Sequence, residues 1–287
     1  VERLPTEVID LTPREIVINQ ATERLKVTSD RKPTYTVYIP TKNRSQYNYT
    51  PALLEKEGIR HFLVVEPQDY EAYVKSFGAE RVLQMPKNDQ GISYARNFIK
   101  DHSKSKGEAR HWQLDDDIRR YLILPDGKKE PTTARNALTL IEDVAENIAN
   151  FGIASPISFV FAYKERVTLA FNKTCYDTVL VNNETPIRWR DHIVEDLDYA
   201  LQCLESGLVT LSFKKLAIDT FATGSIKGGN QENAFASNEA RRKTCERTAA
   251  LWPDRLEAKE LKTKRGWTMG HKGKLYARYT HDPIFKS

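Results

Sequence analysis

Thr34–Pro40 reads TYTVYIP, His61–Pro67 reads HFLVVEP and Arg81–Pro86 reads RVLQMP, and these three runs decide the fold class. Each is short and apolar or β-branched. Each ends in proline, which stops a hydrogen-bonded ladder because it has no N–H. They read as three strands. Around Pro51–Glu57 and Asp69–Phe77 the pattern between them turns helical. Strand, helix, strand, helix, strand implies parallel pairing through crossover helices, the start of an α/β nucleotide-binding sheet.

Working outward, a helix is expected over Ile92–His102, followed by RHWQLDDD (Arg110–Asp117), a strand that runs into acids. Open α/β sheets bind ligands at the carboxyl ends of their strands, so these acids stand where a site is expected. Thr132 or Thr133 caps a long helix through Asn150, whose core face is Leu138, Ile141, Val144, Ala145 and Ile148. ISFVFAY (Ile157–Tyr163), VTLAF (Val167–Phe171) and YDTVLVN (Tyr176–Asn182) read as strands of a later, mixed part of the sheet. Ile193–Ser206 reads as a helix closed by Gly207, and VTLSFKKLAI (Val209–Ile218) as another strand. FATGSIKGGNQEN (Phe221–Asn233) has three glycines and no apolar period, which marks a surface loop. Residues 1–33 form an extension without an assigned role, and 34–287 are expected to be one domain. Its donor-binding half is 34–118, and its acceptor half is 119–287.

A chain of 287 residues, 40% of them apolar, can bury one sizeable core. No apolar run approaches the roughly 20 residues that span a bilayer, and VERLPTEVID lacks a basic-then-apolar leader pattern. A cytosolic protein without membrane attachment is expected, unless processing removed a leader. Cys175, Cys203 and Cys245 are widely spaced, which excludes a zinc framework and points to packed thiols. The net charge of +5 is uneven: residues 241–287 carry 13 Lys and Arg against 5 Asp and Glu, whereas the first 240 carry 31 against 34. A basic C-terminal section with Trp252, Trp267, Tyr276 and Tyr279 among its charges suits a polyanion such as nucleic acid, although a solvated surface has the same composition.

Three adjacent carboxylates at Asp115, Asp116 and Asp117 repel one another unless a cation compensates. Mg²⁺ or Mn²⁺, which take oxygen ligands and keep positions open for phosphates, would do so; a plain acidic turn looks the same. After β-type Val37–Pro40, exposed backbone N–H groups and the planar fork of Arg44 can meet carbonyl or phosphate oxygens. Gly91 lets backbone approach a ligand at a helix start carrying Arg96, with Asp89 and Gln90 beside it. Arg96 faces either the ligand or the aspartates. In WRDHIVEDLDYAL (Trp189–Leu201), Glu195 and Asp196 open a helix, where acids also simply complement its dipole; His192 is adjacent. WTMGHKGK (Trp267–Lys274) sets His271 and Lys272 between two glycines, beside Lys274.

The succession VYIPTKNRS, NDQGISYARN, WQLDDDI and VEDLD resembles the GT-A glycosyltransferases, and within them the TET-associated glycosyltransferases, which modify hydroxymethylated pyrimidines in DNA. The motifs of the donor half run from Tyr35 to Ile118. The resemblance implies a GT-A-type α/β fold with a mixed, mainly parallel central sheet flanked by helices. It also implies transfer of a sugar from a nucleotide-sugar donor, a UDP-sugar being favoured, with Mn²⁺ or Mg²⁺ as cofactor. Pro40, Thr41, Asn43 and Arg44 would hold the nucleobase and ribose, and Arg96 would lie near the ribose or diphosphate. Asp115 would face the ribose, Asp117 would bind the metal and Asp116 would support their geometry. Asp196 or Glu195 would be the general base, with inversion following if Asp196 fills that role. His271 would complete the metal site, with Lys272 or Lys274 neutralising the leaving diphosphate. The favoured acceptor is 5-hydroxymethylcytosine in DNA, and a phage origin would put the protein in the host cytoplasm. The loop Ala222–Asn233 would close over the sugar or grip the acceptor. A protein or glycan glycosyltransferase would share the donor motifs, and a non-catalytic nucleic-acid-binding protein would share the basic section.

Overall fold

Thr12 and Glu15 form a capping box, the Glu15 carboxylate accepting the Thr12 N–H at 2.8 Å, and α1 (Pro13–Leu25) starts there. Val17, Ala21 and Leu25, one turn apart, are buried in the main core, so the N-terminal segment is packed into the domain from this helix onward. The structure, a computed structural model, describes residues 11–125, 127–162, 166–221, 225–229, 237–261 and 266–286.

The proline-terminated runs form β1 (Val37–Pro40), β2 (His61–Val65) and β3 (Val82–Gln84), paired in parallel, with α2 (Thr50–Lys56) and α3 (Tyr70–Phe77) as the crossovers. Parallel neighbours cannot be joined by a tight turn, and each connecting helix covers the sheet it leaves. α4 (Gly91–Ser105) leads into β4 (Arg110–Gln113), parallel to β1 on its other side.

Beyond β4 the chain adds β5 (Ile118–Ile123), β6 (Glu130–Thr132), α5 (Ala134–Ala145), β7 (Phe151–Ser158), α6 (Phe159–Ala162), β8 (Leu169–Phe171) and β9 (Val179–Asn182). α7 (Glu195–Glu205), β10 (Val209–Thr220), α8 (Asn238–Leu251) and the hairpin of β11 (Leu256–Glu260) with β12 (Trp267–His271) complete it. The central sheet runs β3-β2-β1-β4-β9-β7-β10-β5-β6, with β8 on β10. Parallel pairing continues from β3 to β4 and recurs between β7 and β10, with antiparallel strands elsewhere. This is the expected α/β class, a mixed sheet flanked by helices.

Several elements depart from the sequence reading: β5, β6, α8 and the β11–β12 hairpin are not marked by its pattern, and others have different bounds. The strand expected at Ile157–Tyr163 lies earlier, as β7, and the chain turns into α6 at Phe159. Gly152 and Pro156 conceal it. A Cβ at Gly152 would stand 3.1 Å from the Cys203 sulfur, a tight fit beneath α7 that favours the glycine, and Pro156 is tolerated where the β7–β10 register shifts after Phe213. α5 is capped by Thr133, whose hydroxyl accepts the Asn136 N–H at 3.0 Å, and it stops at Ala145 rather than Asn150. Ile148 then bridges to Phe285. All three cysteines are free and buried. Among the described residues no helix is long and apolar enough to cross a membrane.

Candidate active site

β1 and β4 end side by side, which brings Pro40–Arg44 against Asp115–Asp117. The acidic turn is fastened by Thr50 at the start of α2: its hydroxyl donates to the Asp115 carbonyl at 2.7 Å and accepts the Ile118 N–H at 2.9 Å. With the first turns of α4 and α7 and the turn before β9, these strand ends enclose a cavity of about 360 Å³. Pro40, Thr41, Arg44, Gly91, Arg96 and the three aspartates line it, as do Glu195 and Asp196.

The three aspartates have different surroundings. Asp116 is held within the protein: Arg44 Nη1 lies 2.5 Å from one oxygen and Thr41 donates to the other at 2.5 Å. Thr41 is in turn 2.7 Å from the Tyr73 hydroxyl. Arg44 also donates to the carbonyls of Lys227 at 3.1 Å and Gly228 at 3.2 Å, so its guanidinium ties the segment Ser225–Gly229 to the acidic turn. Gly228 and Gly229 pack so tightly there that a Cβ on either would come within 2.8 Å of its neighbours, Lys42 and Asn43 carbonyls for the first and Arg44 for the second. The rest of the proposed lid, Ala222–Gly224 and Asn230–Asn233, lies outside the described residues.

Asp115 and Asp117 face the cavity. Burial pushes Asp117 up to about 6, Asp116 adding to the shift and Arg44 opposing it. Asp115 is lifted well above the ordinary carboxylate range by burial and then by Asp177. Asp177 is itself raised to about 6 by burial and by Asp196 and Asp117. Within α7, burial and Asp196 raise Glu195 to about 7, while burial raises Asp196 against the restraining charge of Arg96. Arg96 is buried among them, 3.7 Å from Asp115, 3.6 Å from Asp196 and donating to Gln113 at 3.2 Å. Its own burial disfavours the charge, but Asp196, Asp115 and Glu195 outweigh that and hold the guanidinium above its usual value. Arg96 pairs with the aspartates and at the same time lines the cavity.

Asp177, Tyr176, Phe221 and Arg241 also line the cavity without having been singled out in the sequence. Asp177 owes its place to register: β9 runs antiparallel to β4 with Gln113 opposite Val179, and two residues further on Asp177 falls opposite Asp115. It adopts φ 60° and belongs to a turn, not to the strand read there. The third acid of VEDLD, Asp198, is structural, its carboxylate accepting from Arg190 at 2.9 Å and Trp252 at 2.8 Å.

Five expected residues do not line the cavity. The Asn43 N–H donates to Asp69 at 2.9 Å. Asp89 pairs at 2.6 Å with Lys42, which does line it, and Gln90 donates to the Asn88 carbonyl at 2.9 Å. His271 stands edge-on to Tyr276 at 5.5 Å, and Lys272 donates to the Pro253 carbonyl at 2.6 Å. His192 is exposed, at φ 61°.

Seven carboxylates line the cavity against four cations, Lys42, Arg44, Arg96 and Arg241, and this hard-oxygen, negative environment fits a divalent ion. Among the described residues no three His, Cys, Asp or Glu side chains are already gathered as a metal cluster. Ligand oxygens would have to complete the coordination, as Mg²⁺ and Mn²⁺ commonly allow.

Fold and site together define an α/β protein with an acidic pocket at the carboxyl ends of its parallel strands, where such sheets take ligands. The profile of the TET-associated glycosyltransferase family matches residues 35–229, and the chain belongs to that family. No curated protein matches the sequence significantly. Among solved structures it is similar to GalNAc-T7 crystallised with UDP, GalNAc and Mn²⁺, with 8% identity and a TM-score of 0.46 over 68% of this chain and 45% of that one. It is also similar to a mannose-1-phosphate geranyltransferase from Thermus thermophilus, with 14% identity and a TM-score of 0.33 over 63% and 57%. The chain thus spans about half the length of these two, and likenesses this distant carry no weight for its activity.

Proposed function

We propose that the protein transfers a sugar from a nucleotide-sugar, with a UDP-sugar as the first candidate, to a hydroxyl acceptor, 5-hydroxymethylcytosine in DNA. The observation that carries this reading is the confinement of Asp115, Asp117, Asp177, Glu195 and Asp196 to one cavity around the buried Arg96. So much negative charge in a partly desolvated site is compensated when a divalent cation and a diphosphate enter together. Asp117, with Asp115 and Asp177, would hold Mn²⁺ or Mg²⁺, which when bound supplies Lewis-acid neutralisation of the departing diphosphate.

The protein's own groups then divide the work. Arg96 orients Asp115 and Asp196 from behind, and Asp116 is a positioning residue, since Thr41 and Arg44 occupy its oxygens. Glu195, raised to about 7 and without the ion pair that Asp196 makes to Arg96, is the better proton acceptor for the incoming hydroxyl. Glu195 would take the hydroxyl proton as the acceptor oxygen attacks the anomeric carbon and the nucleoside diphosphate leaves.

The test is incubation with a panel of nucleotide sugars, Mn²⁺ and DNA bearing 5-hydroxymethylcytosine, followed by mass analysis of the nucleosides. A hexosylated nucleoside is expected. Sugar transfer to protein or glycan acceptors with none to DNA would overturn the acceptor assignment.

A further inference from the structure

In the basic C-terminal section, which composition alone marks for a polyanion, several cations are matched from within. Arg242 pairs with Glu239 and Glu246, Arg255 with Glu205, and Lys286 with Glu146. A different surface combines exposed positive charge with a direct path to the cavity. Phe221 lines the cavity, and the Arg119 guanidinium stacks 4.9 Å from its ring centre. Arg119 and its neighbour Arg120 both bind the buried Asp219, at 2.6 and 2.8 Å. Consecutive strand residues ordinarily point to opposite faces, but the β5–β10 register shifts at Asp219–Thr220 and turns both arginines to one carboxylate. Arg120 continues to the Phe159 ring at 5.8 Å, over which Lys129 stands at 3.9 Å.

The result is a row in which cations alternate with rings, starting at the cavity mouth. Arg119 and Arg120 remain about half exposed, with side-chain exposures of 46% and 55%, although Asp219 and the rings fix their positions. Cations held in this way lose little freedom when they bind, so their attraction for an anion is not offset by ordering. The sign of the charge is also divided. The carboxylates inside the cavity repel phosphodiesters, while the row outside attracts them.

We propose that this row, Phe221, Arg119, Arg120, Phe159 and Lys129, is the docking surface for the acceptor DNA. The phosphates of one strand lie along the three cations, and the modified base reaches the cavity past Phe221. The proposal deepens the sugar-transfer reading and rests on it for the identity of the acceptor. Aromatic rings interleaved with basic side chains are what a single or locally opened strand needs, because rings accept any base and cations follow the backbone.

The test is fluorescence anisotropy of a labelled oligodeoxynucleotide carrying 5-hydroxymethylcytosine, titrated with the full chain at several salt concentrations. The variants are Lys129→Glu, Arg120→Gln and the double variant. Arg119 still meets Asp219 in each, and Lys129→Ala serves if the double variant melts early. The double variant should bind on the order of tenfold more weakly, and each cation removed from the phosphates should flatten the slope of log affinity against log salt by about 0.7. Lys259→Glu and Lys274→Glu, on the C-terminal section, should bind like the unaltered protein. Unchanged binding in the row variants, weakening confined to the C-terminal variants, or no DNA binding by the unaltered protein would each overturn the proposal. Calorimetric titration of UDP with Mn²⁺ in parallel separates the two ideas: if the nucleotide fails to bind while the row still governs DNA affinity, the sugar-transfer reading falls and the docking surface stands.

Discussion

Arg44→Ala should loosen the acidic turn and the glycine segment above it together. The guanidinium and Asp116 lie 2.5 Å apart with side-chain exposures of only 13% and 12%. Removing one partner of a buried pair costs about 3–5 kcal/mol, because the other charge is left uncompensated. Asp116 keeps the Thr41 hydroxyl and the pair borders the cavity, so about 3 kcal/mol is expected. The carbonyls of Lys227 and Gly228 can turn to water and add little. At roughly 2–4 °C per kcal/mol for a chain of this size, Tm should fall by about 6–12 °C. Scanning calorimetry of Arg44→Ala, Asp116→Ala and the double variant measures the coupling, and limited proteolysis should cut residues 225–229 faster in Arg44→Ala. A fall under about 2 °C, or strictly additive losses in the double variant, would refute the pairing as the support of this wall.

Glu195→Gln should abolish transfer while nucleotide binding persists, and Asp196→Asn should weaken both; equal transfer rates in Glu195→Gln and the unaltered protein would remove Glu195 as the base. Because Glu195 is raised to about 7 and must be deprotonated to act, the transfer rate should rise with pH through about 7, a limb that kinetics from about pH 5.5 to 8.5 would reveal. In chelator, Asp117, Asp177 and Glu195 bind protons more tightly folded than unfolded. Their contribution to stability is complete below the unfolded values of about 4 and is gone once pH has risen through about 6–7, so Tm should drop between about pH 4 and 7.5, and Mn²⁺ with UDP should reverse the drop. Gly228→Ala should lower Tm by several degrees: at φ 86° its Cβ would meet the Lys42 and Asn43 carbonyls at 2.8 Å, and an unchanged melt would show that the segment relaxes freely.

The sequence made the donor half readable because strand ends there coincide with prolines, and because Asp115–Asp117 and Arg96 sit at the ends of well-patterned elements. Asp177 was hidden, since only the pairing of β9 with β4 sets it opposite Asp115. β5 was obscured by Arg119 and Arg120, two charges in succession that a regular strand would send to opposite faces. His271 and Lys272 illustrate the converse. Flanking glycines and adjacent charge suggested a site, yet the β11–β12 hairpin carries them to Tyr276 and Pro253, a tertiary placement that local sequence does not encode. Pro40, Thr41, Arg44, Asp116 and Glu195 meet at the cavity, but Arg44 and Asp116 are engaged with each other, which residue type alone could not reveal.

Calorimetric titration of UDP into the unaltered protein and into Asp117→Ala, each with Mn²⁺ and again with chelator, tests the cavity's role most directly. Heat of binding is expected only from the unaltered protein with the cation. Equal binding in chelator, or by Asp117→Ala with Mn²⁺, would contradict a cation held by these carboxylates.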